Sequence, residues 1–237
     1  MTSKIAYNYI DNGGQNTLLF LHGWGCNKNY MLPISNIKNC NSLVIDLPCF
    51  GENSEPDTPY FYDDFIEDIL IFINENKFNI THIIAHSFGG KLACKLSNLL
   101  KIKGLILIAP SIFNKRRGVI YYLKIITYKV IKRYKKLNFI SSKMGSNDYK
   151  SLSSVMKKTM SNVINKNIIK EVKKISVPTI LLFGKKDKIT PIHMGKKIKK
   201  LIKDSELIIL NGNHFAYLYN KQKVMLIIES LVNQTCN

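Results

Sequence analysis

Six short apolar runs, separated by segments long enough to form helices, are the feature that most constrains the fold. Each run has five or six residues and is rich in Ile, Leu, Val and Phe, which is typical of parallel strands buried on both faces. The runs are 17–21, 42–46, 81–85, 104–108, 178–183 and 206–210. The helical segments are 61–76, 88–101, 191–203 and 219–233. This alternation predicts an α/β fold with parallel βαβ crossovers, to which residues 4–10 add an antiparallel edge strand.

Residues 111–175 interrupt this alternation, because they are far too many for a single crossover helix. Spaced apolar residues among lysines predict helices within 117–136 and 150–174, with a break at Gly145–Asp148. We therefore expect a core formed by residues 1–110 and 176–237, with 111–175 inserted as a helical lid.

The composition fits one folded domain without a metal or disulfide framework. Apolar residues make up 46% of the 237 residues, which is too high for a disordered chain. The five cysteines form no C-x-x-C pair, and no stretch near the start or elsewhere is apolar enough for a signal peptide or a membrane span. We expect a cytoplasmic protein that needs neither a metal nor an organic cofactor.

The segment Ala85-His86-Ser87-Phe88-Gly89 lies where the third apolar run ends and a helical segment begins. Such a turn is so tight that it requires small residues on either side of the serine and strains the serine backbone. A serine at the start of a helix also faces the positive end of the helix dipole. Ser87 is therefore the candidate nucleophile. The alternative is a tight turn without chemistry.

A serine hydroxyl needs a base to remove its proton, and His214 is the best placed histidine. It follows the last apolar run, on the sheet edge where parallel strands end and where open α/β sheets place their sites. His22 belongs to a tight His-Gly turn, His82 begins its strand on the opposite edge, and His193 lies in the start of a helix. The alternative is that His214 is an ordinary surface residue.

The base needs an acid to orient it and to stabilise its charged form. Asp187 follows the run 178–183 on the same sheet edge, whereas the end of the preceding run, 109–111, carries no carboxylate. The alternative is an aspartate in a solvated, lysine-rich turn. The order Ser87, Asp187, His214 is the α/β-hydrolase order.

Two backbone N–H groups are candidates for an oxyanion hole, which binds the negative oxygen formed when a carbonyl is attacked. One belongs to Phe88, directly after the nucleophile. The other belongs to Trp24, in the glycine-rich stretch His22-Gly23-Trp24-Gly25. We also assign substrate contacts to the side chains of Trp24, His86 and Phe215. The alternatives are that the Trp24 ring belongs to the ordinary core and that His86 only packs beside the pocket.

These motifs together resemble the α/β-hydrolase fold family, and within it the small serine carboxylesterases typified by pimeloyl-acyl-carrier-protein methyl ester esterase. The resemblance covers about 15–110 and 175–235 and implies a mostly parallel sheet flanked by helices. Two departures are Ala85, in place of the first elbow glycine, and Cys49, in place of a glycine in the loop after the second run. The matching stretches are His22–Gly25, Asp46–Ser54, Ala85–Gly90, Gly184 to Pro191, and Asn213–Phe215.

A basic stretch in the inserted segment raises the question of a partner. The net charge is +19, and Lys115–Lys136 contains nine basic residues and no acidic one, interleaved with apolar and tyrosine residues. This pattern could bind an acidic acyl carrier protein or an anionic membrane surface. The alternative is a lid helix with a solvated basic face. Nucleic-acid binding is not expected, since no recognised module is present.

The function expected from these residues is hydrolysis of a carboxylic ester or thioester through an acyl-Ser87 intermediate. Two alternatives remain at this point. One is cleavage of a carbon–carbon bond, by a hydrolase or lyase with the same three residues. The other is a hydrolase-fold protein without activity that binds a partner through its basic lid.

Overall fold

In a computed structural model of the chain, which describes residues 5–113 and 152–236, the strands form one seven-stranded sheet in the order β1-β3-β2-β4-β5-β6-β7. The first strand pairs antiparallel with β3, and all other neighbours are parallel. The strands are β1 (Tyr7–Ile10), β2 (Asn16–Leu21), β3 (Cys40–Ile45), β4 (Ile80–His86), β5 (Gly104–Ile108), β6 (Thr179–Gly184) and β7 (Ser205–Leu210). All six predicted parallel strands and the antiparallel edge strand are present.

The helices in the described part of the chain follow the predicted alternation, with one difference at the C-terminus. The predicted helix 219–233 corresponds to one helix over Lys221–Cys236, and an additional short helix over Ala216–Tyr219 precedes it. This short helix ends before Asn220, whose amide side chain donates to the Asn211 and Ala216 carbonyls. The helices are α1 (Tyr62–Glu75), α2 (Phe88–Leu99), α3 (Ser154–Asn165), α4 (Ile169–Lys173), α5 (Ile192–Leu201), α6 (Ala216–Tyr219) and α7 (Lys221–Cys236).

The sheet has a separate hydrophobic core on each face, because successive strand residues point to opposite sides. Leu19 and Ile83 belong to the core that α1, α2 and α5 cover. Leu18 and Ile84 belong to the other core, which α7 and two short 3₁₀ turns at Lys28–Tyr30 and Leu32–Ile34 cover. The central strands β2 to β6 are thus buried on both faces of the sheet.

Two helices of the structure fall in the segment predicted to be a lid. Ser153 caps the N-terminus of α3, where its hydroxyl accepts the Met156 N–H at 3.1 Å, and α4 follows after a short turn. The predicted helix 117–136 and the break at Gly145–Asp148 lie outside the described residues. Within the described residues, no helix has the length and apolar character that crossing a bilayer requires.

The loop after β3 braces the loop after β2. The buried Asp46 carboxylate accepts the Lys28 N–H at 2.6 Å and the Glu52 N–H at 3.0 Å. A side chain on Gly51 would collide with this carboxylate. Cys49, which stands where the motif has a glycine, has φ 71°. The backbone therefore keeps the left-handed conformation that glycine adopts more readily.

Candidate active site

Ser87 lies in a strained turn between β4 and α2. Its φ is 50° and its ψ is −109°, a backbone conformation that costs a non-glycine residue on the order of 1–3 kcal/mol. Neighbouring backbone holds the turn: the Ser87 N–H donates to the Ile108 carbonyl at 2.9 Å, and the Ser87 carbonyl accepts the Ser111 N–H at 3.0 Å. This strain is the one expected from the sequence motif.

Gly89 brings the turn against the loop after β2. Its N–H donates to the His22 carbonyl at 3.1 Å, and a Cβ at this position would lie 2.5 Å from the same oxygen. Any larger residue would push the two backbones apart. The absence of a side chain therefore fixes the distance between Ser87 and the His22–Gly25 loop.

The structure brings the three candidate catalytic residues into one hydrogen-bonded chain. The His214 Nε2 lies 3.0 Å from the Ser87 Oγ, and the His214 Nδ1 lies 2.8 Å from the Asp187 Oδ2. Because a carboxylate only accepts, Nδ1 carries the proton and Nε2 is free to accept the serine proton. Each residue follows a parallel strand: Ser87 follows β4, Asp187 follows β6 and His214 follows β7.

Four donors surround the Asp187 carboxylate. Its Oδ1 accepts the N–H groups of Ile189 and Thr190, at 2.7 and 3.0 Å, and its Oδ2 accepts the Thr190 hydroxyl at 2.7 Å in addition to His214. Burial alone would raise the pKa of Asp187, but these hydrogen bonds outweigh it and hold the pKa below its ordinary value. Asp187 is therefore a carboxylate with a fixed orientation.

Thr190 is a member of the site that the sequence analysis did not identify. Its hydroxyl also lies 3.3 Å from the Ala109 carbonyl, so it joins the acid to the end of β5. The sequence did offer a clue, since an aspartate followed three residues later by a hydroxyl side chain, just before Pro191, is a common turn pattern.

The two candidate oxyanion donors lie beside Ser87. Phe88 is the first residue of α2, where backbone N–H groups have no partner in the helix. Within the described part of the chain neither the Phe88 N–H nor the Trp24 N–H donates a hydrogen bond. The Trp24 ring packs edge-on against the Phe88 and Phe50 rings, with centroids 5.4 and 4.9 Å apart. This packing holds the loop beside the candidate nucleophile.

A largely apolar cavity of about 310 Å³ opens at Ser87. Helix α3 forms one wall of it, and Trp24 is among the residues that line it. Its lining in the described residues is Trp24, Ser87, Phe88, Lys91, Ser111, Phe113, Met160, Val163, Ile164, Ile189 and Thr190.

His86 and Phe215 do not line this cavity, although both were predicted to contact the substrate. His86 points away from Ser87 because adjacent residues at a strand end diverge. It is 1% exposed and packs against the rings of Phe215 and Tyr217. Its Nε2–H donates to the His214 carbonyl at 3.1 Å. This hydrogen bond from His86 therefore helps to fix the backbone of His214.

The other histidines have the structural positions that the sequence suggested. His22 is fully buried, donates from Nδ1 to the Gly23 carbonyl at 2.7 Å and accepts the Leu47 N–H at Nε2 at 2.9 Å. His82 lies near the start of β4, where its Nε2 meets the Thr235 hydroxyl. His193 is exposed on α5.

The three buried histidines predict a loss of stability in mild acid. Burial lowers the pKa of His22 and His82 to about 4 and that of His86 to about 3, from an ordinary value near 6.5. The unfolded chain therefore binds up to three more protons than the folded chain between about pH 6.5 and 4. We expect the free energy of unfolding to decrease by at most roughly 4 kcal/mol for each unit by which the pH falls within this range.

Urea unfolding at a series of pH values measures this slope. His82→Asn should reduce it by about one proton, which is roughly 1.4 kcal/mol per pH unit. A free energy of unfolding that stays constant from about pH 6.5 to 5 would contradict the buried, neutral state of these rings.

No group of three or more His, Cys, Asp or Glu side chains arranged to hold a metal ion occurs within 5–113 and 152–236.

Comparison with known proteins identifies the family. Residues 18–224 match the alpha/beta hydrolase family, and this match spans most of the chain. The chain belongs to the alpha/beta hydrolase family. The predicted α/β-hydrolase fold and the resemblance on which it rested are thus confirmed.

Individual relatives are distant but similar in length. The chain is 26% identical to the AB hydrolase superfamily protein YisY of Bacillus subtilis, over 94% of each chain. It is also 26% identical to the pimeloyl-[acyl-carrier protein] methyl ester esterase of Wigglesworthia glossinidia brevipalpis, over 88% of this chain and 90% of that one. Among solved structures, an esterase from Exiguobacterium antarcticum superposes with a TM-score of 0.72 at 21% identity, over 97% of this chain and 95% of that one.

Proposed function

We propose that this alpha/beta hydrolase is a serine esterase that cleaves a carboxylic ester or thioester through an acyl-Ser87 intermediate. The observation that carries the proposal is the unbroken hydrogen-bonded chain from the Ser87 Oγ through His214 to the Asp187 carboxylate. Ser87, at one end of this chain, borders a largely apolar cavity. The similarity to a methyl ester esterase supports the choice of an ester bond.

In the acylation step, the His214 Nε2 accepts the hydroxyl proton as the Ser87 Oγ attacks the ester carbonyl. The carbonyl oxygen becomes an oxyanion, which the N–H groups of Phe88 and Trp24 stabilise. The protonated His214 then gives its proton to the leaving alcohol oxygen, the carbon–oxygen bond breaks, and the acyl group stays on Ser87. The Asp187 carboxylate stabilises the imidazolium throughout.

In the deacylation step, water takes the place of the alcohol. His214 removes a proton from the water as the water oxygen attacks the acyl carbon, and the same two N–H groups hold the second oxyanion. The proton then returns to the Ser87 Oγ, which releases a carboxylic acid. Every proton in this cycle passes through the Nε2 of one histidine.

We also propose that the inserted segment acts as a lid that completes the acyl pocket. Met160, Val163 and Ile164 of α3 face the cavity. The basic stretch Lys115–Lys136 lies outside the described residues, so binding of an acyl carrier protein or a membrane surface remains a prediction from sequence, as does a cytoplasmic location.

A fluorophosphonate probe tests the activated nucleophile without knowledge of the substrate. Attack of the Ser87 Oγ on phosphorus expels fluoride and leaves a stable phosphonyl ester. We expect one adduct per chain by intact mass, mapped to Ser87 by peptide sequencing. Loss of p-nitrophenyl butyrate hydrolysis should run parallel with labelling.

The matched control for this experiment is Ser97→Ala, on the same helix α2. Within 5–113 and 152–236, the Ser97 hydroxyl donates only to the Cys94 carbonyl. This variant should label as the wild type does, whereas Ser87→Ala should not label. A folded wild-type protein that neither labels nor hydrolyses the ester would refute the proposed function and favour a binding role.

A further inference from the structure

Lys91 is a buried cation that the proposed chemistry does not use. It lies on the first turns of α2, four residues after Ser87, and its side chain is therefore on the same side of the helix. Lys91 is 2% exposed, and it is one of the residues that line the cavity. Fully buried lysines are rare unless they are paired.

Among the described residues, the ammonium group of Lys91 has carbonyl partners but no anionic one. It donates to the carbonyls of Val163 and Ile164 at 2.7 and 3.3 Å, near the end of α3. Within the described part of the chain Lys91 forms no ion pair. An ammonium has three N–H donors, so two carbonyls leave capacity for one more acceptor.

Carbonyl groups compensate a buried charge only in part, since burying a cation without a counter-ion is expensive. Apart from Lys91 and the hydroxyl residues Ser87, Ser111 and Thr190, the cavity is bordered by aromatic and aliphatic side chains, which suit the methylene groups of an acyl chain. An acyl chain that entered this cavity and ended in an anion would therefore supply the missing charge at Lys91.

We propose that Lys91 determines specificity, by selecting esters whose acyl chain ends in a carboxylate; this rests on the proposed esterase function. The carbonyl carbon of such a half-ester lies at Ser87, the methylene groups contact the apolar walls and the carboxylate accepts a hydrogen bond from the Lys91 ammonium. A hydrogen bond between two charged groups in a poorly hydrated site favours the anionic ester over a neutral one by about 10- to 100-fold.

The competing explanation is that Lys91 only fastens α3 to α2. A lysine near the end of a helix stabilises the last carbonyl groups of that helix. Loss of this fastening would disturb the cavity for every ester alike. Loss of a carboxylate partner would disturb only the anionic esters, so the ratio of the two rates separates the explanations.

The test uses methyl esters in matched pairs. Monomethyl glutarate and monomethyl adipate are compared with methyl 5-methylhexanoate and methyl 6-methylheptanoate, in which an isopropyl group replaces the carboxylate. The kcat/KM of each ester is measured for wild type, Lys91→Met and Lys91→Arg. Each ester is also measured as a competitive inhibitor of p-nitrophenyl butyrate hydrolysis, which reports its binding even if its turnover is slow.

We expect wild type to favour the anionic member of at least one pair by about 10- to 100-fold, and Lys91→Met to lose most of this preference. Lys91→Arg should keep much of it, because the charge remains. General damage to the fold lowers both members of a pair and cancels in the ratio. An equal ratio in wild type and Lys91→Met, or a wild-type preference for both neutral esters, would overturn the proposal.

A pH series adds a second criterion. Burial lowers the pKa of Lys91 to about 8, so wild type should lose its preference for the anion above that pH, whereas Lys91→Arg should not. Burial, together with the nearby Glu171, raises the pKa values of the neighbouring Tyr62 and Cys94. Tyr62 and Cys94 therefore do not titrate near pH 8. The positive charge of Lys166 contributes to lowering the pKa of Lys91.

The two proposals fail in different ways. If wild type hydrolyses neither member of any pair, does not hydrolyse p-nitrophenyl butyrate and is not labelled by a fluorophosphonate, the esterase function itself is wrong. If Ser87-dependent hydrolysis is present without an anion preference that depends on Lys91, only the assignment of Lys91 is wrong.

Discussion

Ser87→Ala is expected to lower kcat/KM for a short-chain p-nitrophenyl ester by roughly 10³- to 10⁶-fold. Alanine removes the atom that would form the acyl bond, and it leaves the rest of the site in place. Residual activity would come from the Phe88 and Trp24 N–H groups acting on attack by water. The measurement is steady-state kinetics with an active-site titration of the wild type.

The size of this loss depends on the variant being folded, and the structure favours that outcome. Ser87 has φ 50°, a conformation that alanine tolerates about as poorly as serine, so the strain in the turn is unchanged. Thermal unfolding of Ser87→Ala should therefore match that of wild type within a few degrees. Ser97→Ala is the kinetic control, and a loss of less than about tenfold in a folded Ser87→Ala would refute the acyl-serine mechanism.

The sheet could be predicted from the sequence because the parallel strands β2 to β6 are buried on both faces. A strand in that position must be apolar at nearly every residue, and the run before Ser87 is an example, since all of Ile80–His86 is buried. The short helix α6 before the last predicted helix was less predictable. The break between α6 and α7 at Asn220 involves a hydrogen bond from its amide to the Asn211 carbonyl, a contact that no periodicity records.

The residues of the proposed triad could be placed from the sequence because each follows a strand on one sheet edge. Thr190 and Lys91 were missed for a different reason. Thr190 matters only because its hydroxyl meets Asp187 and Ala109, and Lys91 is one of 35 basic residues. Nothing in its local sequence distinguishes it from a surface lysine until α3 is packed over it. His86 shows the opposite error, since a residue adjacent to the nucleophile points to the other side of the sheet.

The proposed oxyanion hole requires that two separate loops keep a fixed distance, and several hydrogen bonds connect these loops. The Gly89 N–H donates to the His22 carbonyl, and His22 in turn accepts the Leu47 N–H. The Asp46 carboxylate then fixes Lys28 at the far end of the same loop. These contacts join the nucleophile turn to the Trp24 loop through buried groups. Such rigidity is what makes N–H donors effective, because they need not reorient as charge develops.

Asp187→Asn is expected to lower kcat by about 10⁴-fold, although it changes a single atom. The Asp187 Oδ1 accepts the N–H groups of Ile189 and Thr190, so an amide oxygen takes that position and the amide NH₂ faces His214. The NH₂ donates to the His214 Nδ1, which forces the ring proton onto Nε2. The imidazole then presents a proton to the Ser87 hydroxyl in place of a lone pair, and it cannot act as a base.

Two further variants separate this tautomer effect from loss of charge or of packing. Asp204→Asn makes the same charge change at an exposed position and should leave kcat within about twofold of wild type, as is usual for surface substitutions. Thr190→Val removes one donor to the carboxylate and keeps the tautomer, so we expect only about a tenfold loss. If Asp187→Asn lost no more activity than Thr190→Val, then orientation of the base would come from the His86 contact and the loop, and the acid would have to be sought elsewhere.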